Sequence, residues 1–252
     1  MSIAEKLTAV AENQQRVYDA GYSAGQQAGG GSDSYYDTFW DTYQQNGERS
    51  ESYSYAFSGR GWTDALFNPK YPLTGFIIDQ ANYMFADSSI SDISHLERMK
   101  IRSSANYTFF RNEAITHIGE IEFYNKSISV NGFANGAFNL VTIDKLVLAD
   151  GIKLANDMFQ NCRKLTNITI EGTVDSNINF QWCTLLSKAS IENVISVLYK
   201  DAVSKTVTFS RAAVNKAFET SEGANDGSTN ESSRWFELVA QKPDGWTYAL
   251  NG

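Results

Sequence analysis

The chain has 252 residues, 42% hydrophobic and 20% charged, with 18 Gly and only 3 Pro. That profile excludes wholesale disorder and collagen-like sequence and fits one large domain or two small ones. A formal net charge of −8 argues against nucleic acid as a partner, and no apolar run reaches the ~18–20 residues of a membrane-spanning helix. Two cysteines and two histidines make a poor zinc-ligand set and no disulfide framework, so the core must carry the stability.

Residues 1–28 have no basic start followed by an apolar stretch, as a secretory leader would. Glu5, Lys6, Glu12, Arg16 and Asp19 interrupt every candidate. They carry a heptad instead. Leu7, Gln14 and Gly21 fall at a positions and Ile3, Val10 and Val17 at d positions, so one apolar stripe runs along a helix as in a coiled-coil seam. Leu at a with Ile at d favours three or four strands over two, and a polar Gln14 in the seam can fix register. The expectation is a homo-oligomer, a trimer, formed through Ile3, Leu7, Val10, Gln14 and Val17. The alternative is an amphipathic helix folded back on its own domain.

Residues 29–80 open with the flexible linker Gly29-Gly30-Gly31-Ser32 and continue into an aromatic-rich segment. It holds Tyr35, Tyr36, Phe39, Trp40, Tyr43, Tyr53, Tyr55, Phe57 and Trp62. The cluster reads as a cap burying large rings over the first turn of a repeat array, or alternatively as a sugar-stacking surface.

Residues 81–188 are a degenerate repeat. Ala105-Asn106-Tyr107-Thr108-Phe109 is followed by Ile115 and Ile118, and Ala155-Asn156-Asp157-Met158-Phe159 by Leu165 and Ile168, both six and nine residues after the Phe. Ala81-Asn82-Tyr83-Met84-Phe85 and Ala134-Asn135-Gly136-Ala137-Phe138 repeat the pattern with offsets of five and eight; Ser176-Asn177-Ile178-Asn179-Phe180 with Leu186 is a weaker copy. The copies start at 81, 105, 134, 155 and 176, steps of 24, 29, 21 and 21 residues, which is the length of a solenoid turn. Phe85, Phe109, Phe138, Phe159 and Phe180 are expected to stack as a buried column, with Leu165, Ile168, Ile170 and Leu186 also in the repeat core. Strands are predicted over 118–123, 143–148 and 168–170, stacked into one parallel sheet. Each repeated Asn is expected to close its own turn by bonding local backbone.

Residues 189–252 predict a helix over 189–200 with Ser190 as cap, a strand over 206–209, a helix over 211–218 and a polar loop over 220–233. Trp235, Phe236, Leu238, Trp246, Tyr248 and Leu250 then complete a C-terminal cap.

Catalytic chemistry is sparse. Cys162 and Cys183 lie one repeat apart in equivalent positions, within disulfide reach if the coils stack, yet both match a core position and read as buried reduced thiols. His95 and His117 fall at different offsets and should not converge on a metal. Glu120 and Glu122 share one side of a strand and read as a solvated acidic stripe rather than a glycosidase pair. No glycine-rich phosphate loop, HExxH or GxSxG motif occurs. The expectation is a protein with no cofactor, no metal and no catalytic residues.

Phe159-Gln-Asn-Cys162-Arg-Lys-Leu165-Thr-Asn-Ile168-Thr-Ile170 resembles the F-x-x-C-x-x-L-x-x-I-x-I core of the BspA-like leucine-rich repeats, and Phe180-Gln-Trp-Cys183-x-x-Leu186 matches its first half. Earlier copies depart from it, with Ser88, Asn112 and Val141 where Cys would fall. The resemblance implies an α/β repeat fold: a right-handed leucine-rich-repeat-like solenoid with a parallel sheet, flanked by the N-terminal helix and an α+β C-terminal cap. Such repeats occur on bacterial surface and adhesion proteins, and the N-terminal layout resembles prophage-encoded carriers of them. The implied function is a non-enzymatic binding, adhesion or structural module recognising a cell-surface protein or glycan. With no leader at its start, the chain is expected in a phage or prophage particle, associated with the tail; a cytoplasmic scaffold is a second placement. The competing readings are a secreted bacterial adhesin, or a carbohydrate-active or glycan-binding protein using residues 33–72.

Overall fold

Isoleucine and leucine at alternate positions along the middle of the chain form strands that pair only in parallel. The computed structural model describes residues 53–59, 64, 76–94, 98–218 and 234–251. The oligomerisation residues Ile3, Leu7, Val10, Gln14 and Val17 therefore lie outside the described residues, as does the predicted loop over 220–233. The described chain is a parallel β-solenoid of about five turns with few helices.

One sheet contains β1 (Phe76–Gln80), β2 (Asp92–Ile93), β3 (Met99–Ser104), β4 (His117–Phe123), β5 (Thr142–Leu148) and β6 (Asn167–Glu171). Its order is β1-β3-β4-β5-β6, with β2 also pairing β4. The strands predicted over 118–123, 143–148 and 168–170 are all present, each extended by a residue at one or both ends. Register builds the core directly. Ile93, Ile118, Ile143 and Ile168 lie opposite one another on successive strands, and Met99, Ile121, Leu146 and Ile170 form a second buried column.

Aromatic rings fill the opposite side of the coil. Phe57, Phe85 and Phe109 stack at centroid separations of 5.7 and 5.2 Å, and Phe133 meets Phe109 edge-on at 5.3 Å. Phe159, Phe180 and Phe209 form a second stack at 5.1 and 6.1 Å. Phe138 does not belong to either: it is 37% exposed, and the buried ring of its coil is Phe133. The backbone explains the correction. The N–H groups of Tyr107 and Phe109 donate to the carbonyls of Asn131 and Phe133, each one residue before its counterpart, so Val130-Asn131-Gly132-Phe133-Ala134 aligns with Ala105-Asn106-Tyr107-Thr108-Phe109. Ala134 stands where Phe109 stands, and the Phe133 ring comes from the position just before it. The coil begins several residues before the Ala134 copy. Val141 is likewise outside the Cys position; Ala137 fills it, fully buried, while Val141 is exposed. Ser88 and Asn112 do occupy that position, joined by an Asn112 Nδ2 to Ser88 Oγ hydrogen bond of 2.8 Å. Tyr53 to Gly59 form a further coil, its N–H groups donating to the carbonyls of Gln80, Asn82, Met84 and Ala86.

The repeated asparagines bond across coils rather than closing their own turns. Asn106 Oδ1 accepts from the Asn131 N–H and from Ser129 Oγ, each at 2.8 Å. One coil earlier, Asn82 Oδ1 accepts from the Asn106 N–H at 3.0 Å and from Ser104 Oγ. Identical amides at identical register each bond the next coil's backbone from Asn82 to Asn106 to Asn131; between that coil and the following one, Asp157 Oδ1 accepts from the Gly132 N–H at 2.9 Å instead.

A second sheet, β7 (Ile178–Phe180), β8 (Lys205–Ser210) and β9 (Trp246–Asn251), continues the stack. Helices α1 (Lys188–Ser196), α2 (Arg211–Phe218) and α3 (Arg234–Ala240) accompany it. The cap of α1 is Ser187, whose hydroxyl accepts from the Ser190 N–H at 3.3 Å, not Ser190. Ser190 has another task. Its Oγ accepts from the Ile168 N–H at 2.9 Å, while Asn193 Oδ1 accepts from the Ile170 N–H at 2.6 Å and its Nδ2 donates to the Ile170 carbonyl at 3.1 Å. Side chains of α1 thus replace a neighbouring strand along the edge of β6, which would otherwise offer open backbone groups to another chain.

Candidate functional site

Stacking places the same coil position of successive turns side by side, so each outward surface is a set of columns. On the outer sheet face, charge sign alternates strand by strand. Lys100 lies opposite Glu122 and Glu120 opposite Lys145. Lys100 Nζ is 3.4 Å from Glu122, and Lys145 Nζ is 3.6 Å from Glu120 and 3.3 Å from Glu171. Arg98 pairs with both Glu120 and Glu122, and Arg102 Nε lies 3.1 Å from Asp79. The acidic stripe expected of Glu120 and Glu122 is corrected accordingly. Opposite charges on neighbouring strands attract where like charges would repel, and this face neutralises itself. Nearby, His117 Nε2 is 2.7 Å from Asp144 Oδ1; His95 lies outside the described residues. Among the described residues no three His, Cys, Asp or Glu side chains are grouped to hold a metal ion.

A second surface is an aromatic column. Tyr55, Tyr83 and Tyr107 stack at 4.9 and 5.0 Å, and Phe110 meets Tyr83 and Tyr107 edge-on. All three tyrosines have positive φ, from 54° to 63°, which turns the chain between coils. Gly132 takes that position in the following coil, at φ 54°, and a Cβ there would lie 2.3 Å from the Tyr107 ring. Desolvation, then the phenols of Tyr55 and Tyr107, raise the pKa of Tyr83. Ring covers ring along this column, so the middle faces are closed to a sugar. Tyr53 and Phe57 are buried. The remaining aromatics proposed for sugar stacking, Tyr35, Tyr36, Phe39, Trp40, Tyr43 and Trp62, lie outside the described residues.

Cys162 and Cys183 are both free and fully buried, and burial pushes both thiols well up from the usual range. Cys162 Sγ donates to the Ala134 carbonyl at 3.1 Å. These are core groups, held away from solvent chemistry.

The third surface lies on the turn that follows each buried ring. Backbone bonds from Thr166 to Val141 and from Ser187 to Thr166 align three of these turns. Here Phe138, Val141, Trp182 and Leu185 are 37–40% exposed. Between them stand exposed Arg163 and Lys164, neither of which pairs with a carboxylate among the described residues. The Arg163 guanidinium sits 5.9 Å from the centroid of the Phe138 ring, a cation–π contact. Alongside runs an amide column: Asn135 Nδ2 donates to Gln160 Oε1 at 3.0 Å, and Asn251 Nδ2 to Gln181 Oε1 at 2.9 Å.

No family model, curated protein or solved structure matches the chain.

The surface itself therefore has to carry the functional reading. The repeat letters alone put Phe138 inside and do not mark Arg163, Lys164, Trp182 or Leu185. Their signal was present: all four fall on x positions of F-x-x-C-x-x-L, which the repeat turns outward, so an apolar ring there is unexplained by the core. One groove of about 510 Å³ runs between α1 and α3, lined by Glu192, Asn193, Lys200 and Arg234 among others. Arg234 is already held there by Glu192 at 2.9 Å and Glu237 at 3.0 Å.

Proposed function

We propose that this chain is a non-enzymatic binding module: a right-handed, leucine-rich-repeat-like solenoid that presents a turn surface to a bacterial cell-surface ligand. The fold part of the reading is supported by Phe159, Cys162, Leu165, Ile168 and Ile170, the residues that resemble the BspA-like motif, all of which are buried. The observation that carries the functional part is the contrast between surfaces. Polar and charged groups of the sheet face and of the asparagine ladder are matched coil to coil, whereas the turn surface leaves in solvent large apolar side chains and cations that have no carboxylate partner among the described residues. Exposed aromatic and Arg groups of that kind are the usual anchors of recognition. The resemblance further supports a phage or prophage particle, with the N-terminal heptad joining three copies so that avidity multiplies modest contacts.

A glycan array probed with the full chain, followed by hydrolysis assays on every hit, tests the reading. Retention without turnover is expected. Release of reducing ends or other product from a bound glycan would favour the carbohydrate-active alternative.

A further inference from the structure

We propose that the turn surface centred on Arg163 and Lys164 binds an acidic polysaccharide, one bearing carboxylate or phosphate groups on its sugars. The inference rests on the binding-module reading above and names its ligand class.

The charge arrangement points to an anion. The chain as a whole is at −8, yet the middle of this surface carries two adjacent cations without a carboxylate partner among the described residues. Arg163 is also pre-oriented. Its guanidinium rests on the Phe138 ring of the preceding coil, and its own carbonyl accepts from Thr184 Oγ1 of the following coil at 3.4 Å. A fork held over a ring loses little freedom on meeting a carboxylate or phosphate, which it can grip with two parallel N–H groups. Lys164 adds a second, point-like charge beside it.

The apolar arrangement points to a sugar rather than to a protein. A protein interface has an apolar core inside a polar rim. Here the order is reversed: cations occupy the middle coil, and the apolar side chains stand on the coils to either side. Trp182, 40% exposed, offers the largest open ring, suited to the C–H face of a pyranose. It belongs to the coil after Arg163, so ring and guanidinium are separated by about 5 Å along the solenoid axis, room for one sugar and its acidic substituent. Gln160 and Gln181 border the same turns and bring amide groups to sugar hydroxyls. Glu113, exposed one coil before Phe138, bounds the surface with the opposite charge.

Titrating the full chain with a polyuronate, a phosphomannan and neutral dextran, by calorimetry, tests the proposal. Binding to at least one acidic polymer and none to dextran is expected, with the phosphate and carboxylate arms distinguishing the two anion sources. Arg163→Ala/Lys164→Ala should weaken that binding at least tenfold and Trp182→Ala at least fivefold. Lys153→Ala, on a different surface, should leave it unchanged, and circular dichroism should show every variant folded. No binding to either acidic polymer, or binding that all these variants preserve, would overturn the proposal. So would equal capture of poly-glutamate with no effect of Trp182→Ala, since charge alone would then explain it. Glycan-array retention that survives Arg163→Ala/Lys164→Ala would leave the binding module standing and remove this site. An array with no hits would remove the module itself.

Discussion

Replacing Phe159 by alanine separates the core ring from its exposed counterpart, Phe138. Phe159 is 1% exposed and stacks on Phe180 at 5.1 Å with the planes 10° apart. Returning such a side chain to water forfeits about 1.5–3 kcal/mol of burial. Losing the ring pair removes about 0.5–1.5 kcal/mol more. Incomplete collapse around the hole brings the expected cost to about 3–5 kcal/mol. Phe133→Ala should cost a similar amount, because Phe133 packs edge-on against both Phe109 and Phe123. Phe138→Ala should cost less, about 1–2 kcal/mol, since the residue is 37% exposed and water can fill the gap it leaves. Urea titration followed by circular dichroism, comparing midpoints at constant slope, reads all three. Equal losses for Phe138→Ala and Phe159→Ala, or a Phe159→Ala loss under about 1 kcal/mol, would refute the coil register.

Gly245→Ala should destabilise the C-terminal cap severely, because φ is +80° and the new Cβ would lie 1.9 Å from the Ala202 carbonyl oxygen; Gly151→Ala, with open space around it, should pay only the backbone strain. Similar melting temperatures for the two variants would contradict this. Cys162 and Cys183 should resist Ellman's reagent at pH 8 in the folded chain and both react in urea; a disulfide in thiol-blocked protein would contradict their reading as core groups. Burial pushes Tyr248 up to about 12 from 10.0, so the folded state keeps a proton that the unfolded state releases. Its stabilising contribution is therefore complete below pH 10 and falls away between pH 10 and 12, and Tyr248→Phe should flatten that part of the urea midpoint against pH. An unchanged slope in the variant would assign the loss to other groups.

Much of the fold was legible because strand parity and repeat period are set by inward side chains alone. Ile121 with Phe123, Leu146 with Leu148, and Ile168 with Ile170 alternate two apart, and the helix over Arg211–Phe218 follows from apolar spacing. The third coil misled because Ala134-Asn135-Gly136-Ala137-Phe138 reproduces the motif letters four residues too late. Glycines at 132 and 136 stand where Tyr107 and Arg111 stand in the preceding coil, which hides the true copy. The strand Met99–Ser104 was missed because its apolar positions are only Met99 and Ile101, with four polar residues alongside. The asparagine ladder could not be distinguished from local turn bonding without knowing the register between coils. The ion pairs of Glu120 and Glu122 failed for the same reason: their partners come from strands more than twenty residues away.

Hydrogen exchange across the full chain, with and without a saturating acidic polymer, polyuronate or phosphomannan, tests the account most directly. Protection is predicted at residues 135–141, 160–166 and 181–187, with the sheet strands 117–123 and 142–148 unchanged. Protection centred on those strands, or none at all under saturating polymer, would contradict a solenoid that recognises its ligand through the turn surface.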